Sequence, residues 1–146
     1  MALASGTYII VSALNGDGHL AQNNSGTLQL EALEDHGQSN DQKFQVTLTG
    51  NGSYSIYSLT AGAGTSIGQT APQDIGSDGV QALIVIGNNV IRWNIQQAPN
   101  DAIAWNIVVA GTQDGWNRID GDDQGRLQLR NVTAQDRHNN WYLEAR

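Results

Sequence analysis

Apolar and polar residues alternate along this chain in short runs, and none of them carries a 3.6-residue stripe with helix caps. The first four runs are Thr7–Ser12, His19–Gln22, Thr27–Glu31 and Lys43–Leu48. In the last, Phe44, Val46 and Leu48 fall on one face of a strand, and Lys43, Gln45 and Thr47 on the other. Turn-forming residues separate the runs: Asn15-Gly-Asp-Gly18, then Asn23-Asn-Ser-Gly26, then a longer polar stretch from Glu34 to Asp41. The order repeats after Gly50-Asn-Gly52 as Tyr54–Leu59, Thr65–Gly68, Gln81–Ile86 and Val90–Gln96. It repeats again after Ala98-Pro-Asn-Asp101 as Ile103–Ala110, Trp116–Asp120, Arg126–Arg130 and Asn140–Ala145. The pattern predicts twelve short strands and essentially no α-helix.

Two aromatic series ride on these strands. Phe44-x-Val46, Trp93-x-Ile95 and Trp141-x-Leu143 recur at steps of 49 and 48 residues. Tyr8-x-Ile10, Tyr54-x-Ile56 and Trp105-x-Ile107 recur at steps of 46 and 51. Gly26-Thr-Leu-Gln-Leu30 returns as Gly125-Arg-Leu-Gln-Leu129, with a degraded middle copy near Gly79-Val-Gln-Ala-Leu83. A period near 48 in 146 residues predicts one domain of three units, approximately 6–49, 50–98 and 99–146. Four strands in each of three units resemble the β-trefoil, an all-β fold. In that fold the first and fourth strands of each unit build a six-stranded barrel, and the second and third form a hairpin cap. Both aromatic series then fall where barrel-filling side chains belong.

Composition narrows the function. Cysteine is absent, which rules out disulfides, thiolate metal sites and a cysteine nucleophile. The net charge is −7, with only seven scattered Lys and Arg, so neither a nucleic-acid backbone nor an anionic membrane finds a basic stripe. The N-terminal Met1-Ala-Leu-Ala-Ser5 has no secretory pattern, and a cytoplasmic location is expected. The sequons at Asn23, Asn51 and Asn131 are read as chance in an Asn-rich chain.

Catalytic chemistry is hard to find. His19, His36 and His138 have no metal-pair spacing, and no nucleophile elbow or phosphate loop occurs. Asp120-Gly-Asp-Asp-Gln-Gly125 looks like a calcium loop but has Asn131 at the twelfth position, where an acidic residue is required. An enzyme, a metal and a cofactor are not expected. Two surfaces remain as candidates. The tip Gln22, Asn23, Asn24, Ser25 and Gly26 is short and uncharged, suited either to entering a narrow cleft or to being an ordinary turn. Trp116 lies outside both aromatic series. Beside Asn117, Arg118 and Asp120 it is either a sugar-stacking indole or a hairpin-cap residue packed under the barrel.

The opening Gly6-Thr-Tyr-Ile-Ile10 and the closing Asn139-Asn-Trp-Tyr-Leu-Glu144 are similar to the first and last strands of mushroom ricin-B-like lectins and mushroom protease inhibitors. Ricin-type lectins carry Q-x-W near the end of each unit. The matching positions here read Gln42-Lys-Phe44, Ile91-Arg-Trp93 and Asn139-Asn-Trp141. The acidic, cysteine-free chain also resembles the cocaprins, fungal inhibitors of papain-like cysteine proteases and pepsin-like aspartic proteases; the mycocypins are less similar. That resemblance implies a protease inhibitor in a fungal defence role. It would block a cysteine-protease cleft with Asn23, Asn24 and Ser25, and use an unplaced second surface against aspartic proteases. The lectin resemblance implies glycans as the alternative partners. Bare alternating strands would permit pairing into a homodimer.

Overall fold

The computed structural model describes residues 2–14, 18–31, 38–62, 65–69, 73–74, 80–87, 91–119 and 125–146. The first unit contains β1 (Gly6–Ser12), β2 (Leu20–Asn24), β3 (Thr27–Glu31) and β4 (Phe44–Leu48). The second contains β5 (Tyr54–Ser58), β6 (Ser66–Gln69), a two-residue β7 (Gln73–Asp74), β8 (Val80–Gly87) and β9 (Trp93–Ala98). The third contains β10 (Asp101–Val109), β11 (Asp114–Arg118), β12 (Leu127–Asn131) and β13 (Trp141–Ala145). Among the described residues there is no α-helix. Two single-turn 3₁₀ segments, Asn40–Gln42 and Arg137–Asn139, lead into β4 and β13. The predicted turn residues Asn15–Asp17 and the degraded repeat's Gly79 lie outside the described residues.

Six strands pair in a closed ring: β1 with β4, β4 with β5, β5 with β9, β9 with β10, β10 with β13, and β13 back to β1. This is the barrel of a β-trefoil. The two aromatic series meet across its walls. Tyr8 pairs with Phe44, Tyr54 with Trp93, and Trp105 with Trp141. Each unit therefore contributes the same cross-strand aromatic pair, a pairing that helps to stabilise a sheet. Tyr8, Phe44, Tyr54, Trp93 and Trp141 are buried, as are Ile10, Val46, Ile56 and Ile107 beside them. Each such side chain contributes about 1.5–3 kcal/mol by leaving water.

The hairpins β2–β3, β6–β8 and β11–β12 close one end. They are stitched into a ring by Thr27–Val85, Gln128–Leu83 and Gln29–Arg126 pairings. The repeated Gly-x-Leu-Gln-Leu motif has its explanation here. The Leu30 amide donates to the Gly125 carbonyl, and the Ile86 amide donates to the Gly26 carbonyl, each at 2.7 Å. Gly125 holds φ +64°, and a Cβ there would lie 3.0 Å from the Leu30 carbonyl oxygen. Backbone conformation and close approach both demand glycine at that seam.

Candidate functional site

The tip of the β2–β3 hairpin is a two-residue turn with positive φ at both central positions, +55° at Ser25 and +93° at Gly26. Those are the signs a type I′ turn requires, and they match the twist of the flanking strands. Its polar side chains are committed locally. The Asn23 Oδ1 accepts from the Gly26 amide at 3.0 Å, and its Nδ2 donates to Ser58 Oγ at 3.4 Å. Gln22 Oε1 accepts from Gln42 Nε2 at 3.0 Å, and Asn24 Nδ2 donates to Gln29 Oε1 at 2.5 Å. Only Asn24 and Ser25 are exposed. The turn projects two small side chains from its tip.

The second sequence candidate is rearranged more deeply. Trp116 is fully buried at the centre of the core. Its ring meets Trp93 edge-on at 5.9 Å and 89°, and Trp141 at 6.2 Å and 79°. Its carbonyl accepts the Trp141 indole N–H at 3.0 Å. An indole enclosed in this way offers no face to a sugar. Asn117 is buried too, and its amide donates to the Gly115 and Arg130 carbonyls. Arg118 reaches Ser12 Oγ at 3.4 Å. Asp120, with the calcium-like run 120–124, lies outside the described residues. Trp116 and Asn117 are therefore core residues. The hairpin register accounts for this placement. Trp116 pairs with Leu129 as Ala21 pairs with Leu30 and Ile67 with Ile86, so it occupies a core position of its unit.

A third place was not foreseen. Between β10 and β13 lies an open hollow of about 340 Å³, lined by Ile103, Tyr142, Leu143 and Glu144. Ile103 is 72% exposed, the most exposed large apolar side chain among the described residues. It stands on an irregularity: Asp101 pairs with Ala98 and Trp105 with Gln97, leaving residues 102–104 unpaired between them. The Ile103 amide donates to Asp101 Oδ1 at 3.2 Å, and Gln97 Nε2 donates to the Ala102 carbonyl at 2.8 Å. The Tyr142 hydroxyl donates to Asp101 Oδ2 at 3.0 Å and accepts from Arg137 Nη2 at 3.5 Å. Arg137 Nη2 also donates to the Ala13 carbonyl at 3.0 Å and stands 3.7 Å from Asp101 Oδ2. Burial raises the Tyr142 phenol above its ordinary pKa; Asp101 adds to the shift and Arg137 opposes it. One sequence signal pointed here. Trp93 to Trp105 spans 12 residues where Phe44 to Tyr54 spans 10, and the surplus is in this bulged hairpin.

Among the described residues, no group of three or more His, Asp or Glu could hold a metal ion, and no helix is long and apolar enough to cross a membrane.

No protein-family model matches the chain, and no characterised protein matches it in sequence. Solved structures do match its shape. A ricin B-like lectin from Macrolepiota procera in complex with lactose superposes with a TM-score of 0.78 at 16% identity, covering 100% of this chain and 99% of the lectin. The Rhizoctonia solani agglutinin gives 0.76 at 15% identity, with 100% and 99% covered. A Polyporus squamosus lectin bound to a sialylated trisaccharide epitope gives 0.68 at 15% identity, covering 98% of this chain and 50% of that one. At these identities the likeness shows the β-trefoil fold.

The expectation of a protease inhibitor is corrected by these findings. The Macrolepiota and Rhizoctonia proteins, matched end to end, are a lectin and an agglutinin, and the lactose-complexed Macrolepiota lectin and the Polyporus lectin both hold sugars, which favours the glycan alternative over the inhibitor. The tip Gln22–Gly26 meant for the protease cleft is a tight turn whose polar groups are largely satisfied within the molecule.

Proposed function

We propose that this protein binds carbohydrate, as a lectin-like β-trefoil related to the fungal ricin-B-like lectins. One observation carries the reading. The whole of a lactose-complexed lectin corresponds to the whole of this chain, with almost nothing left over on either side. A rigid barrel bearing polar loops suits the task, because surface loops fixed by a scaffold present hydrogen-bonding groups without losing much freedom on binding. The closing motif Asn139-Asn-Trp-Tyr-Leu-Glu144 supports the same relationship. Glycans, not proteases, are the partners this reading assigns. The test is a printed glycan array probed with labelled protein, followed by calorimetric titration of the strongest hit. Saturable binding that free sugar competes away is the expected result. An empty array at high protein concentration overturns the reading.

A further inference from the structure

We propose that the hollow between β10 and β13 is the sugar-binding site and that it takes an uncharged saccharide. The proposal rests on the carbohydrate reading above and gives it a location.

The hollow's volume of about 340 Å³ lies at the small end of the range for ligand sites, about 300–1,000 Å³. Its lining is split in the way a pyranose ring is split. Ile103 supplies apolar surface for the C–H face of a ring, with the partly buried Leu143 beside it, and Glu144 and the Tyr142 hydroxyl oxygen supply acceptors for the hydroxyl edge. Sugar sites need this combination, since neither an oily slot nor a charged cup would match both faces.

Ile103 is the most informative residue. A bulge that lifts a β-branched apolar side chain into water forgoes its burial, and the neighbouring backbone bonds to Asp101 and Gln97 hold that bulge in place. Such a feature is expected where a side chain is being aimed at something. The polar edge is equally fixed. The Asp101–Tyr142–Arg137 network ties the phenol down from both sides, so little rotamer entropy is lost on binding.

Charge sets the class of sugar. Glu144 is the charged residue lining the hollow, the nearby Asp101 is paired with Arg137, and the whole molecule carries −7. A sialic or uronic acid would meet net repulsion here, while a neutral hexose would not.

The experiment uses an array of neutral and sialylated oligosaccharides, probed with the wild type and with Ile103→Asp, Tyr142→Phe and Leu48→Asp. Leu48 is the other exposed large apolar residue among those described and lies on a different strand pair, so it is the control. Circular dichroism and melting curves check that each variant is folded. The expected result is wild-type binding confined to neutral glycans. Ile103→Asp should then weaken it by about tenfold or more, Tyr142→Phe by a smaller factor, and Leu48→Asp should leave it unchanged. Folded Ile103→Asp and Tyr142→Phe variants that keep full binding overturn the site while leaving the carbohydrate reading intact. Preferential binding of sialylated glycans overturns the assigned sugar class. A wild type with no hits overturns the carbohydrate reading itself.

Discussion

The first and third units of this barrel fill equivalent positions in opposite ways. Where β2 has Leu20-Ala21, β11 has Gly115-Trp116; Leu20 pairs with Val11 as Gly115 pairs with Val108. In the third unit the large side chain points into the barrel and the small residue faces the neighbouring strand. A Cβ on Gly115 would lie 2.4 Å from the Ile107 carbonyl oxygen, so β11 lies hard against β10. In the first unit Ala21 leaves the centre free, while Leu20 packs outward with Ile9, Val11 and Tyr142. The closing strands follow suit. Trp141 accompanies Trp116, and the smaller Phe44 accompanies Ala21. A shared core with one central indole has no room for three, so sequence symmetry is broken to preserve packing density.

Substitutions can test that exchange. The largest effect is expected from Trp116→Ala, which empties the middle of the aromatic cluster and should cost ~3–5 kcal/mol in urea unfolding. Gly115→Leu, which copies the first unit into the third, should also be severely destabilising, because the obstructing atom is backbone. A Gly115→Leu protein that melts like the wild type would mean that the two strands are not in that close register.

A smaller contrast lies in the 3₁₀ turns. Ser39 Oγ accepts from the Asp41 amide at 3.1 Å, and Asp136 Oδ1 accepts from the His138 amide at 2.9 Å. Replacing either cap by Ala should cost about 1 kcal/mol near neutral pH. Only one of them titrates. Burial pushes the Asp136 carboxyl upward, but the His138 amide and imidazole together with Arg130 outweigh it and hold the pKa below its usual value. Its contribution is therefore present above about pH 4 and is lost as pH falls through the depressed folded-state value. Melting temperatures across pH 2–7 should show a shallower acid limb for Asp136→Asn and a parallel curve for Ser39→Ala; parallel curves for both would contradict the assigned shift.

The smallest change is a gain. Ser25 holds φ +55°, a region costly for a residue with a Cβ and better tolerated by Asn. Ser25→Asn should raise stability by a few tenths to about 1 kcal/mol. A fall in melting temperature would show that the serine hydroxyl matters more than the backbone strain.

The barrel was legible in the sequence because its two aromatic series are cross-strand partners, which fixes strand order as well as period. The core role of Trp116 was not, because it lies outside those series and a lone Trp among polar residues reads equally well as surface. Aligning Trp116 with Ala21 requires the hairpin register, which short polar turns leave open by a residue or two. Ile103 was hidden for a different reason. Inside an alternating run it reads as one more strand residue, and only the bulge turns it outward. The Asp101–Tyr142–Arg137 network ties Asp101 to residues 36 and 41 positions further along the chain, beyond any local motif.

The ring closes where Tyr8 meets Ala145 and the Arg146 amide donates to the Thr7 carbonyl at 2.8 Å. Every other wall joins neighbouring parts of the chain or parts about one unit away, but this one spans nearly its whole length. Loop-closure entropy must be met before that last seam gives anything back, so it sets a slow step in folding. Until β13 arrives, β1 presents an open apolar edge along Ile9 to Val11. The nascent protein is then most exposed to misassociation at the residues that, once folded, are among its best protected.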